Sequence, residues 1–302
     1  MNENKTNINW YPGHMAKTIK EIEADLKLVD LVIEILDARI PVSSQNPDIN
    51  RIVKDKKKIV VLNKKDLAEE VETQRWINYY SKLGISAIDC DSSKEDDVKR
   101  VFKLIEKNMQ EEKEKALLKG RNKIIRAMII GIPNSGKSSF INRLSKTKAM
   151  ASENRPGVTR QKQWLRLDNN IELLDTPGVL WPRIEDNKAA LPLAFTGSIK
   201  DDILDSTELA YNLVKFLVEN NYKKKLIERY DIDYNIVDEV LNSNNMEENE
   251  KIVEIMNLIG RKRGCIQSRG EINLEKTSNV IITDYRQGKL GRITLEKAKM
   301  ED

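Results

Sequence analysis

Short runs of branched apolar residues, each closing on polar ones, punctuate the first two thirds of the chain at 29–36, 59–62, 124–130 and 171–174. None alternates apolar with polar as a half-exposed strand would, so they predict strands of a parallel sheet buried on both faces. Residues 85–91 form a further, shorter strand. Helical periodicity fills the spaces at 71–83, 98–113 and 139–144, and the alternation predicts a doubly wound α/β sheet. After Trp181-Pro182 the strand signal fades, and amphipathic helices dominate at 207–220 and 248–259. A boundary between 180 and 199 follows, giving an α/β domain over 1–185 and a mainly helical domain over 186–302. A lysine-rich connector at 111–123 joins two halves of the first domain, and the asparagine-rich stretch 242–245 is a turn.

At 302 residues the chain is long enough for two such domains, each with its own core. The longest apolar runs, 31–36 and 127–132, fall far short of a membrane span, so no membrane role is expected. The start, Met1-Asn2-Glu3-Asn4-Lys5, has neither a secretory nor an organellar pattern, which points to the cytoplasm. Cys90 and Cys265 stand far apart without CxxC spacing, and both read as buried thiols. Net charge is only +4, but it is unevenly spread: residues 231–254 carry eight acids and one lysine, and residues 255–300 carry ten Lys/Arg against four acids. The basic end is either a solvated helix face or a contact for a polyanion such as RNA.

Gly131-Ile132-Pro133-Asn134-Ser135-Gly136-Lys137-Ser138 fits GxxxxGK[ST] between a strand and a helix. In that setting backbone N–H groups wrap phosphates at a helix N-terminus. Ser135, Gly136 and Ser139 belong to this phosphate cradle, Lys137 would reach the β and γ phosphates, and Ser138 would offer its hydroxyl to Mg2+. Asp175-Thr176-Pro177-Gly178 follows a strand and fits DxxG. Asp175 would hold Mg2+ through water, and the Gly178 N–H would sense the γ phosphate. Between them Thr159, in Pro156-Gly157-Val158-Thr159, is either the second hydroxyl ligand of Mg2+ in a switch loop or the cap of a plain turn.

Asn63-Lys64-Lys65-Asp66 follows the 59–62 strand and fits NKxD. The Asp66 carboxylate can accept from N1 and N2 of guanine, a donor pair that adenine lacks, while Lys64 would lie along the base. Asp91 and Ser92, at the end of the next strand, are candidates for contacting the guanine O6. These base-reading residues precede the phosphate loop by about seventy positions, the reverse of the usual GTPase order, so the motif order is circularly permuted. A parallel sheet tolerates this if the old termini are bridged, here by the 111–123 connector.

Trp10-Tyr11-Pro12-Gly13-His14-Met15, Asp37-Ala38-Arg39-Ile40-Pro41, the phosphate loop with Pro133-Asn134, Asp175-Thr176-Pro177-Gly178 and the tail Gly260-Arg261-Lys262-Arg263-Gly264-Cys265 together resemble the ribosome biogenesis GTPase A family. That resemblance spans most of the chain. It implies GTP hydrolysis stimulated by a late precursor of the large ribosomal subunit and contact with rRNA and ribosomal proteins through the helical domain; off the ribosome a monomer is expected. It also implies a K+ ion held near the phosphates by Asn134. Val179 occupies the position where many GTPases carry a water-orienting glutamine. The resemblance assigns hydrolysis to His14, the chain's sole histidine, which without it reads as a structural side chain packed beside Trp10 and Tyr11.

Overall fold

Seven consecutive buried residues, Leu31–Asp37, form β1, a central strand of a six-stranded sheet in the computed structural model. The structure describes residues 14–148, 164–167, 171–176, 187–199 and 205–298. The other strands are β2 (Lys57–Asn63), β3 (Ser86–Asp89), β4 (Ile125–Ile130), β5 (Trp164–Arg166) and β6 (Ile171–Asp175), in the spatial order β3-β2-β1-β4-β6-β5. All neighbours run parallel except β5, which pairs antiparallel with β6 at the edge. The first three strands step outward to one side, and the chain then crosses back to lay β4 against β1. The switch point therefore falls between β1 and β4, where loops leaving the strand C-termini diverge and open a ligand crevice.

Helices cover both faces, as the predominantly apolar strands require. On one side Leu31, Ile33 and Ile35 of β1 pack with Val98, Val101, Phe102 and Ile105 of α4 (Glu95–Asn108) and with Phe140 and Leu144 of α6 (Lys137–Lys148). On the other, Val32 and Met128 meet Ile22 of α1 (His14–Asp25) and Ile49 and Val53 of α2 (Pro47–Val53). Val60 and Leu62 there meet Trp76 and Tyr80 of α3 (Glu70–Lys82). Truncating any of the buried isoleucines or Phe102 to alanine should cost about 2–5 kcal/mol.

Several elements differ from the sequence expectation. The single helix expected over 98–113 is two, α4 and α5 (Gln110–Leu117), broken at Met109, whose φ/ψ of −108°/8° leaves the helical range while its side chain stays in the core. The short α2, absent from the periodicity reading, is set by local chemistry. Asn46 caps it by accepting from the N–H groups of Asp48 and Ile49, and Pro47 supplies a first residue already fixed in φ.

The chain divides into two compact units, one running to Asn187 and including Thr294 onward, the other Lys188–Ile293. In the second, α7 (Asn187–Phe195) ends on carbonyls of Ala194 and Phe195 that accept from the Arg286 guanidinium. Its core joins α8 (Ser206–Glu219), α11 (Glu248–Lys262) and α12 (Leu274–Arg286) through Leu213, Leu217, Ile255, Ile259, Ile281 and Tyr285. The shorter α9 (Lys223–Tyr230) and α10 (Tyr234–Asn242) complete it. The tail from Thr294, expected within the helical domain as part of 186–302, belongs instead to the first unit. Its polar atoms satisfy backbone N–H groups there, a pairing made in space that no local pattern announces.

Candidate guanine-nucleotide site

Parallel register sets the site. Asp37 pairs with Asn63 across β1 and β2, Glu34 pairs with Ile130 across β1 and β4, and Ile129 pairs with Asp175 across β4 and β6. The ends of four strands thus reach one edge, where the loops after β1, β2, β3 and β4 meet.

Asn63 ties two of these loops together. Its Nδ2 donates to the Ser135 carbonyl at 2.8 Å, and its Oδ1 accepts from Ser92 N–H at 3.1 Å and from Ser92 Oγ at 2.6 Å. The side chain is 1% exposed, so these bonds are made away from competing water. The phosphate loop is close-packed around it. A Cβ on Gly136, at φ +95°, would stand 2.1 Å from Asn63 Nδ2, and one on Gly131 would stand 2.5 Å from the Ile35 carbonyl oxygen. Only glycine fits at either place. Lys137 opens α6 and turns its ammonium onto its own loop, donating to the Gly131 and Ile132 carbonyls at 3.0 and 2.8 Å. Burial pushes its pKa down to about 8, opposed by the charge of Asp175. The Asp175 carboxyl is itself raised by burial and held back by Lys137. Thr176 anchors the start of the DxxG segment by donating to the Ile129 carbonyl at 2.6 Å.

The base-reading side carries a buried charge cluster. Arg39 grips Asp37 with Nε to Oδ1 at 3.0 Å and a second nitrogen to Oδ2 at 2.8 Å, and Lys64 Nζ stands 3.1 Å from the same Oδ2. Burial alone would push the Asp37 carboxyl up, but Arg39 and then Lys64 outweigh it and hold it well below the usual carboxylate range. Lys64 adopts a left-handed φ of +59° here. Next to it, Lys65 bridges Asp89 and Asp97 at 2.7 and 2.8 Å, and Asp97 accepts from the Asp91 N–H at 3.0 Å. Asp66 sits exposed between these groups, its carboxyl raised by partial burial and by the neighbouring Asp91 charge.

The structure brings Asn63, Lys64, Asp66, Asp91, Ser92, Ser135, Gly136 and Lys137 to this edge, with Asn134, Ser138 and Ser139 on the exposed side of the phosphate loop. The N–H groups of Asp91, Ser92, Ser93 and Lys94 are each already bonded within the protein, to Asp97, Asn63, Asp91 Oδ1 and the Asp91 carbonyl. Any O6 contact from this segment would therefore share a donor. His14 begins α1, but its side chain lies outside the described atoms, and Thr159 and Gly178 lie outside the described residues. In the sequence Asp37 and Arg39 stand out only as part of a family pattern. Their ion pair was available as a signal, since a carboxylate and a guanidinium two residues apart at the end of an apolar strand must be partnered if buried.

A phosphate loop and an NKxD loop joined by one side chain on the edge of a doubly wound sheet define a P-loop GTPase in permuted order. Ribosome biogenesis GTPase A of Bacillus cereus is 41% identical over 290 residues, spanning 96% of this chain and 93% of its own. The chain belongs to the ribosome biogenesis GTPase A family. Residues 126–259 match the family described as 50S ribosome-binding GTPase. Mitochondrial ribosome-associated GTPase 1 of Ictalurus punctatus is 30% identical over 310 residues, covering 95% of this chain and 92% of that one. The crystal structure of GNP-bound YlqF from T. maritima matches with a TM-score of 0.61 at 25% identity, over 93% of this chain and 98% of that one. The protein is accordingly an enzyme that hydrolyses GTP to GDP and phosphate, with partners connected to the ribosome. GTPases of this class work with Mg2+. Among the described residues no cluster of three His, Cys, Asp or Glu could hold a metal alone. A hydroxyl on the first turn of α6 and the Asp175 carboxylate nevertheless suit a hard cation that takes its other oxygens from phosphate and water. Among the same residues no helix is long and apolar enough to cross a membrane.

Proposed function

We propose that this chain is a GTP-gated assembly factor in late maturation of the large ribosomal subunit, acting in the cytoplasm as a monomer that docks on rRNA and ribosomal proteins of the precursor. The observation that carries the nucleotide half of this reading is the Asn63 bridge from Ser135 to Ser92, which makes the base and phosphate loops parts of one site. The match to 50S ribosome-binding GTPases and the basic run Arg261-Lys262-Arg263 support the other half.

In this reading Asp66 selects guanine and Lys64 covers the base, with Asp91 and Ser92 beside O6. Backbone N–H groups of 134–139 and the Lys137 ammonium hold the phosphates. On phosphate binding Lys137 exchanges two neutral carbonyls for anionic oxygens, a stronger, charge-assisted partner. Ser138, Thr159 and Asp175 would hold Mg2+, which supplies charge neutralisation at the β and γ oxygens. Asn134 would help to hold K+ in the position that an arginine finger fills elsewhere, Gly178 would sense the γ phosphate, and His14 would orient the attacking water in place of the missing glutamine. GTP favours the docked state and hydrolysis releases it.

The test is GTP turnover and co-sedimentation with separated ribosomal subunits, in K+ and then in Na+. The reading expects stimulation by large-subunit particles in K+, and retention with a non-hydrolysable GTP analogue but not with GDP. Stimulation by small subunits alone, or equal retention with both nucleotides, would overturn it.

A further inference from the structure

The tail that returns to the first unit makes contacts out of proportion to its length. Leu295 N–H donates to the Arg39 carbonyl at 2.9 Å, and the Glu296 carboxylate accepts from Val42 N–H at 2.6 Å, from Ser43 N–H at 3.1 Å and from the Ser43 hydroxyl. Trp76 Nε1 donates to the Glu296 carbonyl at 2.9 Å, and Thr294 Oγ1 accepts from Glu69 N–H at 2.9 Å. Ala298 packs against the apolar cluster that includes Leu36, Leu62 and Trp76.

The placement of these contacts matters more than their number. Arg39, Val42 and Ser43 lie in the loop that leaves β1 and carries the Asp37–Arg39 pair. That loop is closed on itself by Asp37 N–H donating to Ser44 Oγ at 3.2 Å and Ser44 Oγ donating to the Ile40 carbonyl at 2.6 Å. Glu69 precedes α3, three residues beyond Asp66. The tail therefore braces the loop that holds the Lys64 counter-ion and the helix start that follows Asp66, one on each side of the base-reading segment. A segment 254 positions away in sequence from Val42, bearing a carboxylate on two backbone amides and a hydroxyl, is a built clamp. Charge-assisted bonds of this kind are among the stronger single contacts a loop can have.

We propose that Glu296 is a positioning residue for guanine-nucleotide binding: it fixes the Arg39–Ser43 loop, through it the Asp37 carboxylate, and through that the Lys64 side chain. This rests on the reading of Lys64 as the base-side residue. Without the clamp the loop retains its own turn bonds but gains freedom, and nucleotide binding must then order Asp37 and Lys64 at the expense of affinity.

The test is a double-mutant cycle on the full-length chain, read as equilibrium affinity for fluorescent GDP. Glu296→Ala is expected to weaken GDP about tenfold, and Lys64→Met by at least as much. The double variant should bind within about twofold of Lys64→Met alone, because a relay that ends on Lys64 has nothing left to transmit once Lys64 is gone. Independent, multiplying losses would show that Glu296 contributes only general stability and would overturn the proposal. GDP affinity unchanged in Glu296→Ala with a loss in Lys64→Met overturns the relay alone, whereas unchanged affinity in Lys64→Met overturns the relay and the base-side reading together. Should Glu296→Ala melt early, Ser43→Ala removes only the hydroxyl contact, and its smaller loss, about two- to threefold, must vanish in the same Lys64→Met background.

Discussion

Replacing Asn63 by alanine should damage two loops at once. The substitution deletes three hydrogen bonds of 2.6 to 3.1 Å at a site 1% exposed. It leaves the Ser135 carbonyl and the Ser92 N–H without their partner, each at about 1–3 kcal/mol, while the Ser92 hydroxyl can rotate to another acceptor. Partial entry of water into the space vacated reduces the sum, and we take about 3 kcal/mol as the expected loss. For a domain of this size that corresponds to a fall in Tm of roughly 6–12 °C. Because the freed loops are the ones that hold the phosphates and flank the base, part of the loss should reappear as binding: GDP affinity about tenfold weaker, in the portion of the chain that stays folded. Thermal melting with and without GDP, combined with a fluorescent-GDP titration, separates the two effects. A Tm within about 1 °C of the parent together with unchanged affinity would refute the bridging role, since a buried three-bond side chain cannot be removed without cost unless it holds nothing.

Lys137 gives a pH prediction. Its folded pKa of about 8 lies below the ordinary lysine value of 10.5, so without nucleotide the folded chain binds fewer protons than the unfolded one between those values, and this group's share of stability rises with pH across that window. Phosphate binding requires the ammonium, so GDP affinity should instead fall as pH rises through 8, by about tenfold at pH 9, with proton uptake seen as a buffer-dependent binding enthalpy. Affinity that stays flat from pH 7 to 9.5 would contradict the burial argument. Gly136→Ala should reduce GDP binding at least a hundredfold, because its Cβ would stand 2.1 Å from Asn63 Nδ2 and the backbone is held at φ +95°; a variant within tenfold of the parent would show that the loop relaxes freely. Hydrolysis in the presence of large subunits should slow when Na+ replaces K+, and equal rates in the two salts would remove Asn134 from the mechanism.

The parts of this molecule that the sequence made legible are those whose signal is local. The apolar runs at 31–36, interrupted only by Glu34, and 59–62 have one economical fate, a strand covered on both faces, and the structure buries them there. The phosphate loop was readable because glycines at 131 and 136 and a lysine at 137 are all needed within one turn of chain, and NKxD was readable beside it. The remainder was hidden for a common reason. Asn63 meets Ser135 across 72 positions, and Glu296 meets Ser43 across 253, so neither side chain's partner can be inferred from its neighbours in sequence. The break at Met109 was hidden differently: an apolar residue continues the helical period whether or not its φ/ψ remains helical. The lysine Lys65, which as the variable position of NKxD looks like a spacer, turns out to hold Asp89 and Asp97 and so to shape the loop after β3.

The central claim is that loops seventy residues apart read one guanine nucleotide, and base preference in an Asp66→Asn protein tests it most directly. A carboxylate accepts from both N1 and N2 of guanine, whereas an asparagine amide offers one acceptor and one donor, matching the N1–H and C2 carbonyl of xanthine. Competition titration should therefore show GTP affinity falling by about a hundredfold or more and XTP overtaking it. An Asp66→Asn protein that still prefers GTP to XTP would contradict the account.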